Sequence, residues 1–180
     1  MKKSLIAAIV LASASFAPSA VWAQDISSPP QALDLIDMSA FFGDSFEAGN
    51  SGATFADRFT FTVDGTVGMN LDAIVASVSR TADVGLDITG LWLYDATDNL
   101  ISTGSSLNTG ATDVWTVASN NLSAGDYYIR VNGNVVSDDG ASFGGAMMLA
   151  PVPEPETYGM MLGGLGVLGL LARRRKAKRG

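Results

Sequence analysis

Apolar and polar residues alternate in short segments from residue 32 to residue 149, and nothing between them keeps the period of a long helix. Ala32–Met38 reads as a first strand. Over Phe55–Val63, the side chains of Phe59, Phe61 and Val63 fall on one face and Arg58, Thr60 and Thr62 on the other. Val67, Met69 and Leu71 alternate, and Ile74, Ala76 and Val78 continue in the opposite phase, which predicts a bulge or bend near Asp72–Ala73. Val84–Tyr94 is apolar on both faces, as in a central strand. Leu100–Ile101, Val114–Val117, Tyr127–Val131 and Ala146–Leu149 complete the set, with Gly, Asn, Asp and Ser in the gaps. Tyr127, Ile129 and Val131 are expected to face the core, and Tyr128 and Arg130 to face out. Regular short strands with polar turns predict an all-β fold, an antiparallel jelly-roll-like β-sandwich.

Both ends of the chain break this pattern. Lys2 and Lys3 precede an apolar run over residues 4–17, and Val21 and Ala23 supply small-enough residues before a cut. This is the pattern of a secretory signal helix over residues 1–23, removed by signal peptidase between Ala23 and Gln24. Residues 24–31, with two serines and two prolines in succession, read as a linker, and residues 32–150 as the sandwich domain. Residues 151–180 hold a proline-rich segment, an apolar run at 158–172 and a basic tail at 173–180 that opens with Arg173, Arg174 and Arg175. Proline keeps the first part extended and out of helix or sheet. The apolar run measures about 22 Å as a helix, short of a ~30 Å hydrocarbon core. Snorkelling basic residues extend its reach, so a C-terminal transmembrane helix is predicted, with the basic tail on the cytoplasmic side. Gly159 and Gly163 stand at GxxxG spacing, read either as a helix-packing face or as simple small-residue composition.

Composition removes several classes of chemistry. The chain has no cysteine and no histidine, hence no zinc or haem site, no thiol nucleophile and no Ser-His-Asp relay. Between residues 24 and 152, Arg58, Arg80 and Arg130 face sixteen acids, which leaves −13. Such a body repels phosphate backbones, so nucleic acid is not an expected partner. Without disulfides the fold depends on its core, or on metal ions bound through oxygen. Calcium suits oxygen ligands, and Asp57, Asp95, Asp98, Asp138 and Asp139 are the candidates. The clusters at 95–99 and 137–139 lack EF-hand spacing and also read as exposed turns. No other cofactor is expected. Fifteen aspartates in the body make some carboxylate pair inevitable, so no glycosidase pair stands out and the chain reads as a non-enzyme. Trp92, Tyr94, Trp115 and Tyr128 are read either as sugar-stacking or as core residues.

Val152–Pro153–Glu154–Pro155, the glycine-rich apolar run and the arginine-rich end together resemble the PEP-CTERM sorting signal of Gram-negative bacteria, also labelled the ice-binding protein C-terminal domain. The resemblance implies that Pro153, Glu154 and Pro155 are recognised by an exosortase, a membrane transpeptidase-like enzyme. It implies an inner-membrane anchor facing the periplasm, then the cell surface or medium after processing, and an association with exopolysaccharide and biofilm. Leu91–Asp95 and Leu122–Val131 are similar to strands of the bacterial pre-peptidase C-terminal domain, a small jelly-roll-like sandwich. Phe55, Asp57 and Phe59 form a Phe-x-Asp-x-Phe motif, and joined to the sorting signal it resembles the FxDxF family of PEP-CTERM proteins. No defined biochemical activity is implied. Two functions stay open: a non-catalytic exported envelope protein, or a calcium-dependent carbohydrate-binding module. Asp57 shares its strand face with Phe55 and Phe59, where a lone carboxylate is costly. It either caps a turn through backbone N–H groups, pairs with Arg80 or Arg130, or joins neighbouring oxygens around calcium.

Overall fold

The computed structural model describes residues 23–152 and 155–177, and the expected signal helix with Lys2 and Lys3 lies outside them. Ten strands form two five-stranded sheets packed face to face. The first sheet has the order β1 (Gln31–Ala32), β3 (Thr54–Val63), β9 (Gly125–Val135), β5 (Leu86–Asp95), β6 (Leu100–Thr103). The second has the order β2 (Ser39–Phe46), β10 (Ala141–Pro151), β4 (Met69–Val78), β8 (Thr112–Leu122), β7 (Ser105–Asn108). Every strand pairing is antiparallel except β1 with β3. The expected β-sandwich is therefore present, with Val84–Tyr94 realised as the interior strand β5.

Alternation builds the core. Phe59, Leu71, Val75, Leu91, Leu93, Ile129 and Val131 are fully buried between the sheets. Tyr127, Ile129 and Val131 face inward as their pattern predicts. Tyr128 and Arg130 point to the other side, yet Tyr128 is 6 % exposed because Arg58 and Tyr94 cover it. A bulge in β5 between Ile88 and Gly90 interrupts the ladder. Ile88 is tied instead to the opposite sheet: its N–H donates to Asp113 Oδ2 at 3.1 Å, and its carbonyl accepts Trp115 Nε1–H at 2.9 Å. Trp115 is thus a part-buried cross-sheet tie and not a surface platform.

Four expectations need correction. The strand expected at Ala32–Met38 is only the two-residue β1, because Asp37 and Met38 take positive φ (49° and 61°) and turn the chain. That turn leads into β2, a strand not anticipated, whose Phe41–Phe42 doublet obscures its alternation. The phase change at Asp72–Ala73 does not occur. Met69, Leu71, Ala73, Val75 and Ser77 all face inward, and Ile74, Ala76 and Val78 are apolar residues facing out. The irregularity lies earlier, between Met69 and Leu71. The linker at 24–31 is part of the sandwich. Thr54 N–H donates to the Gln24 carbonyl at 2.8 Å, Ile26 N–H donates to the Thr54 carbonyl at 2.9 Å, and Ile26 packs on the core.

After Pro151 comes α1 (Pro155–Ala177), which contains the apolar run at 158–172 and most of the basic tail. Among the described residues no helix is long and apolar enough to cross a membrane. The apolar stretch of α1 is fifteen residues and is followed at once by Arg173. Its side chains from Tyr158 to Gly169 are exposed all round.

The register sets a simple expectation. Phe59→Ala empties a fully buried site and should cost about 3–5 kcal/mol, whereas Leu100→Ser, at a residue 53 % exposed on β6, should leave stability nearly unchanged. Chemical denaturation of the two variants checks it.

Candidate functional site

Phe55, Asp57 and Phe59 occupy successive inward positions of β3, so their pattern describes one face of a strand. Across the interior, β2 presents the same pattern in Phe42, Asp44 and Phe46. The two segments cross head to tail. The Phe42 ring lies 5.0 Å from Phe59, and the Phe46 ring lies 4.6 Å from Phe55. Phe143 of β10 closes the cluster, stacked on Phe55 at 5.4 Å and edge-on to Phe59 at 6.1 Å. Glycines seat two of the rings. A Cβ at Gly145 would stand 2.5 Å from the Phe42 ring, and one at Gly133 would stand 2.4 Å from the Phe55 ring.

Within this aromatic frame the two carboxyls face one another. Asp57 is 1 % exposed. Its Oδ1 accepts the Ser28 N–H at 2.8 Å, while Ser27 Oγ accepts the Ala56 N–H at 2.8 Å and donates to Asp25 Oδ1 at 2.6 Å. Backbone capture is therefore the account of Asp57 that holds, in altered form: the carboxylate sits mid-strand and binds the N-terminal segment, not a turn. The ion-pair account is overturned. Arg80 faces Asp139 at 3.5 Å, and Arg130 Nε donates to Asn132 at 2.9 Å.

Asp44 Oδ1 accepts the Ser45 N–H at 2.7 Å. The remaining Oδ2 atoms of Asp44 and Asp57 are both buried without a hydrogen-bond partner. As two carboxylates neither can donate to the other, but one proton placed between them satisfies both. Burial pushes the Asp57 carboxyl up to about 6, against the Ser28 N–H, and the adjacent Asp44 carboxyl adds to the rise. The pair can hold a proton or a cation, and its burial keeps it away from any large substrate. Asp44 is absent from the sequence-derived candidates, although Phe42-x-Asp44-x-Phe46 repeats the spacing of Phe55-x-Asp57-x-Phe59 and marks it.

The other acidic candidates are not gathered with Asp57. Asp95 caps its own turn: Oδ1 accepts the N–H groups of Thr97 and Asn99, and Oδ2 accepts Asn99 Nδ2–H at 2.9 Å. Those bonds, led by Asn99, hold its carboxyl down to about 2. Asp98 accepts from the Tyr128 hydroxyl at 2.6 Å and from Arg58 at 3.2 Å. Asp138 accepts the Ser51 N–H at 3.3 Å, and Asp139 meets Arg80. Among the described residues no group of three or more acidic, histidine or cysteine side chains could hold a metal. Trp92, Tyr94 and Tyr128 lie on the outer face of the first sheet, with Tyr94 stacked on Tyr128 at 5.1 Å and Arg130 5.9 Å from the Trp92 ring.

At the chain ends, Ala23 and Gln24 are exposed, and the Gln24 carbonyl accepts the first backbone bond, from the Thr54 N–H. Pro153 and Glu154 lie outside the described residues, and Pro155 opens α1, a position that suits proline because its missing N–H is not needed there. Arg173, Arg174 and Arg175 continue α1.

Residues 151–176 match the PEP-CTERM protein-sorting motif. No curated protein matches the chain. Among solved structures, the chain is similar to the pre-peptidase C-terminal domain of collagenase from Bacillus anthracis, with 17% identity and a TM-score of 0.38, over 68% of this chain and 95% of that one.

Asp57 links stability to pH with a definite sign. Its folded value of about 6 lies above the ordinary 3.8, so its contribution is present in full below pH 3.8 and is lost as pH rises through 6. Asp87, raised by burial and by Asp113, adds in the same direction. Unfolding followed by circular dichroism should show lower stability at pH 7 than at pH 4.5, by roughly 2 kcal/mol. In Asp57→Asn the amide accepts from Ser28 and donates to Asp44. That variant should be more stable than the parent at pH 7 and show a flatter pH profile.

Proposed function

We propose that this chain is the precursor of a non-catalytic envelope protein, exported through its N-terminal signal and sorted by an exosortase through its C-terminal motif. The observation that carries this reading is the PEP-CTERM motif at 151–176, placed directly after the last strand of the sandwich. Signal peptidase cleaves after Ala23 and leaves Gln24 at the edge of the folded body. The short helix at 158–172 then sits in the inner membrane, with its arginines at the cytoplasmic surface, and holds the sandwich in the periplasm. The apolar side chains of α1 exposed from Tyr158 to Leu168 support that placement, because no described element of the protein covers them. Processing at the Pro153–Glu154–Pro155 segment releases the body to the cell surface or medium. There an acidic, lysine-free sandwich stays soluble among the polymers of an exopolysaccharide or biofilm matrix.

A second reading, a calcium-dependent carbohydrate-binding module, is favoured by one observation: the facing, unpartnered Oδ2 atoms of Asp44 and Asp57. A calcium ion between them would neutralise both, with further oxygens needed to reach its usual six to eight or so ligands.

Intact mass and cell fractionation test the sorting route. Glu154→Ala and deletion of residues 158–180 should each leave protein of unprocessed C-terminal mass or altered location. Unchanged mass and location in both would end the sorting reading. For the second reading, calcium should raise the melting temperature of the parent protein at pH 7 but not that of Asp57→Asn, and chelator should abolish polysaccharide pull-down.

A further inference from the structure

The outer faces of the two sheets differ in kind. On the second sheet Ile74, Ala76 and Val78 of β4 point away from the core, and strand pairing sets Ala146 of β10 between Phe41 and Ile74. Phe41 is 85 % exposed, Val78 76 %, Met148 54 % and Ile74 44 %. Small residues fill the space between them, with Gly144 opposite Gly43 on one side and Ala76 on the other. An open groove runs between Ile74 and Met148 over Ala118 and Ala146, with Ser39, Asp72 and Thr116 as its polar lining. Among the described residues Asp72 is the one charged side chain at the outward positions of β2, β4, β8 and β10. The other fifteen acids and the three arginines of the body lie elsewhere. A contiguous apolar, charge-depleted surface of this kind marks an interaction site.

We propose that this face packs against the same face of a second copy of the chain. Four strands about 4.8 Å apart and roughly 33 Å long outline about 640 Å². Two such faces together bury up to about 1,300 Å², within the range of specific interfaces. The charge distribution points the same way. Two bodies of −13 repel each other from every direction that is rich in acids, and this sheet, with Asp72 as its one charge, is the surface through which they can most readily meet. A two-fold arrangement lets the protruding Phe41 and Met148 of each copy lie over the glycine and alanine positions of the other. Sheet-on-sheet packing at the usual spacing of about 10 Å needs no change in the backbone. The other classes of occupant fit less well. A bilayer surface favours apolar faces rimmed with lysine and arginine, and the outward positions of these four strands hold neither. A sugar polymer needs hydrogen-bonding side chains; Ser39, Asn70, Thr112 and Thr116 stand at outward positions, but Phe41, Ile74, Ala76, Val78, Ala146 and Met148 offer none.

Because the chain lacks cysteine, single introduced thiols report contacts without background. The full chain carrying Ala146→Cys, treated in cells with a short bismaleimide, should give a cross-linked species of twice the mass. The same treatment of Thr103→Cys, on the outer face of the first sheet, should give none. Adding Ile74→Asp or Met148→Asp to Ala146→Cys should reduce the cross-link to background while the thermal unfolding transition is retained. The purified parent should sediment as a dimer and the aspartate variants as monomers. Equal cross-linking from Thr103→Cys, or a monomeric parent with no cross-link from Ala146→Cys, overturns the proposal. A monomeric parent whose binding to lipid vesicles is lost in Ile74→Asp also overturns it and assigns the face to membrane.

Discussion

Two aspartates meet inside a cage of phenylalanines, and much of the sandwich is arranged around the cost of putting them there. A buried carboxylate without a partner is destabilising, so the surrounding backbone is recruited to answer it. Ser28 donates to Asp57, Ser27 receives the neighbouring Ala56 N–H, and the segment from Gln24 to Ser28 is thereby drawn along β3. Asp44 and Asp57 then leave one oxygen each for a shared proton or cation. The phenylalanines fix this geometry. Phe42 and Phe46 reach across from β2 to Phe59 and Phe55, so the carboxyls between them have little freedom to separate. In β5 the backbone of Ile88, at a bulge, is satisfied in turn by Asp113 and Trp115 of the opposite sheet.

Positive charge is used sparingly in the body. Each of the three arginines of the body has a local partner: Arg58 meets Asp98 and lies over Tyr128, Arg80 meets Asp139, and Arg130 meets Asn132. Burial and the hydrogen bond to Asp98 push the Tyr128 hydroxyl up to about 12, so it stays a neutral donor. The outer face of the first sheet is thus internally satisfied, with aromatic, basic and acidic groups bonded to one another. The outer face of the second sheet has no such network and is left apolar. One sandwich therefore carries a polar skin on one side and a surface suited to association on the other.

The described body begins at the expected signal cut and ends at the sorting motif. Gln24, the residue after the expected cut, supplies the first carbonyl bonded to β3, and Pro151, at the start of the sorting motif, ends β10. Val152 still donates to Gly68 at 2.8 Å, after which the chain leaves the sandwich. Removal of both ends would take away eight of the eleven basic residues and few of the backbone bonds that hold the sheets together.

Local pattern was enough for the class of fold, for most strands and for the C-terminal sorting motif. Alternation with a period of two reports which residues share a face, as at Phe59, Phe61 and Val63, and a proline-rich segment followed by apolar and basic runs is itself the chemistry that a sorting enzyme reads. Pattern could not say which face is the core when both are apolar. Ile74, Ala76 and Val78 follow Leu71 in a plausible core phase, and only pairing with β8 and β10 shows that they point outward. It also could not place residues far apart in the chain against one another. Phe42-x-Asp44-x-Phe46 and Phe55-x-Asp57-x-Phe59 are both legible as spacings, but their carboxyls become one site only because β2 and β3 lie in opposite sheets and face each other across the interior. Strand periodicity is a property of neighbours along the chain, whereas the pair, its raised affinity for a proton and the exposed apolar sheet arise from contacts that tertiary packing alone creates.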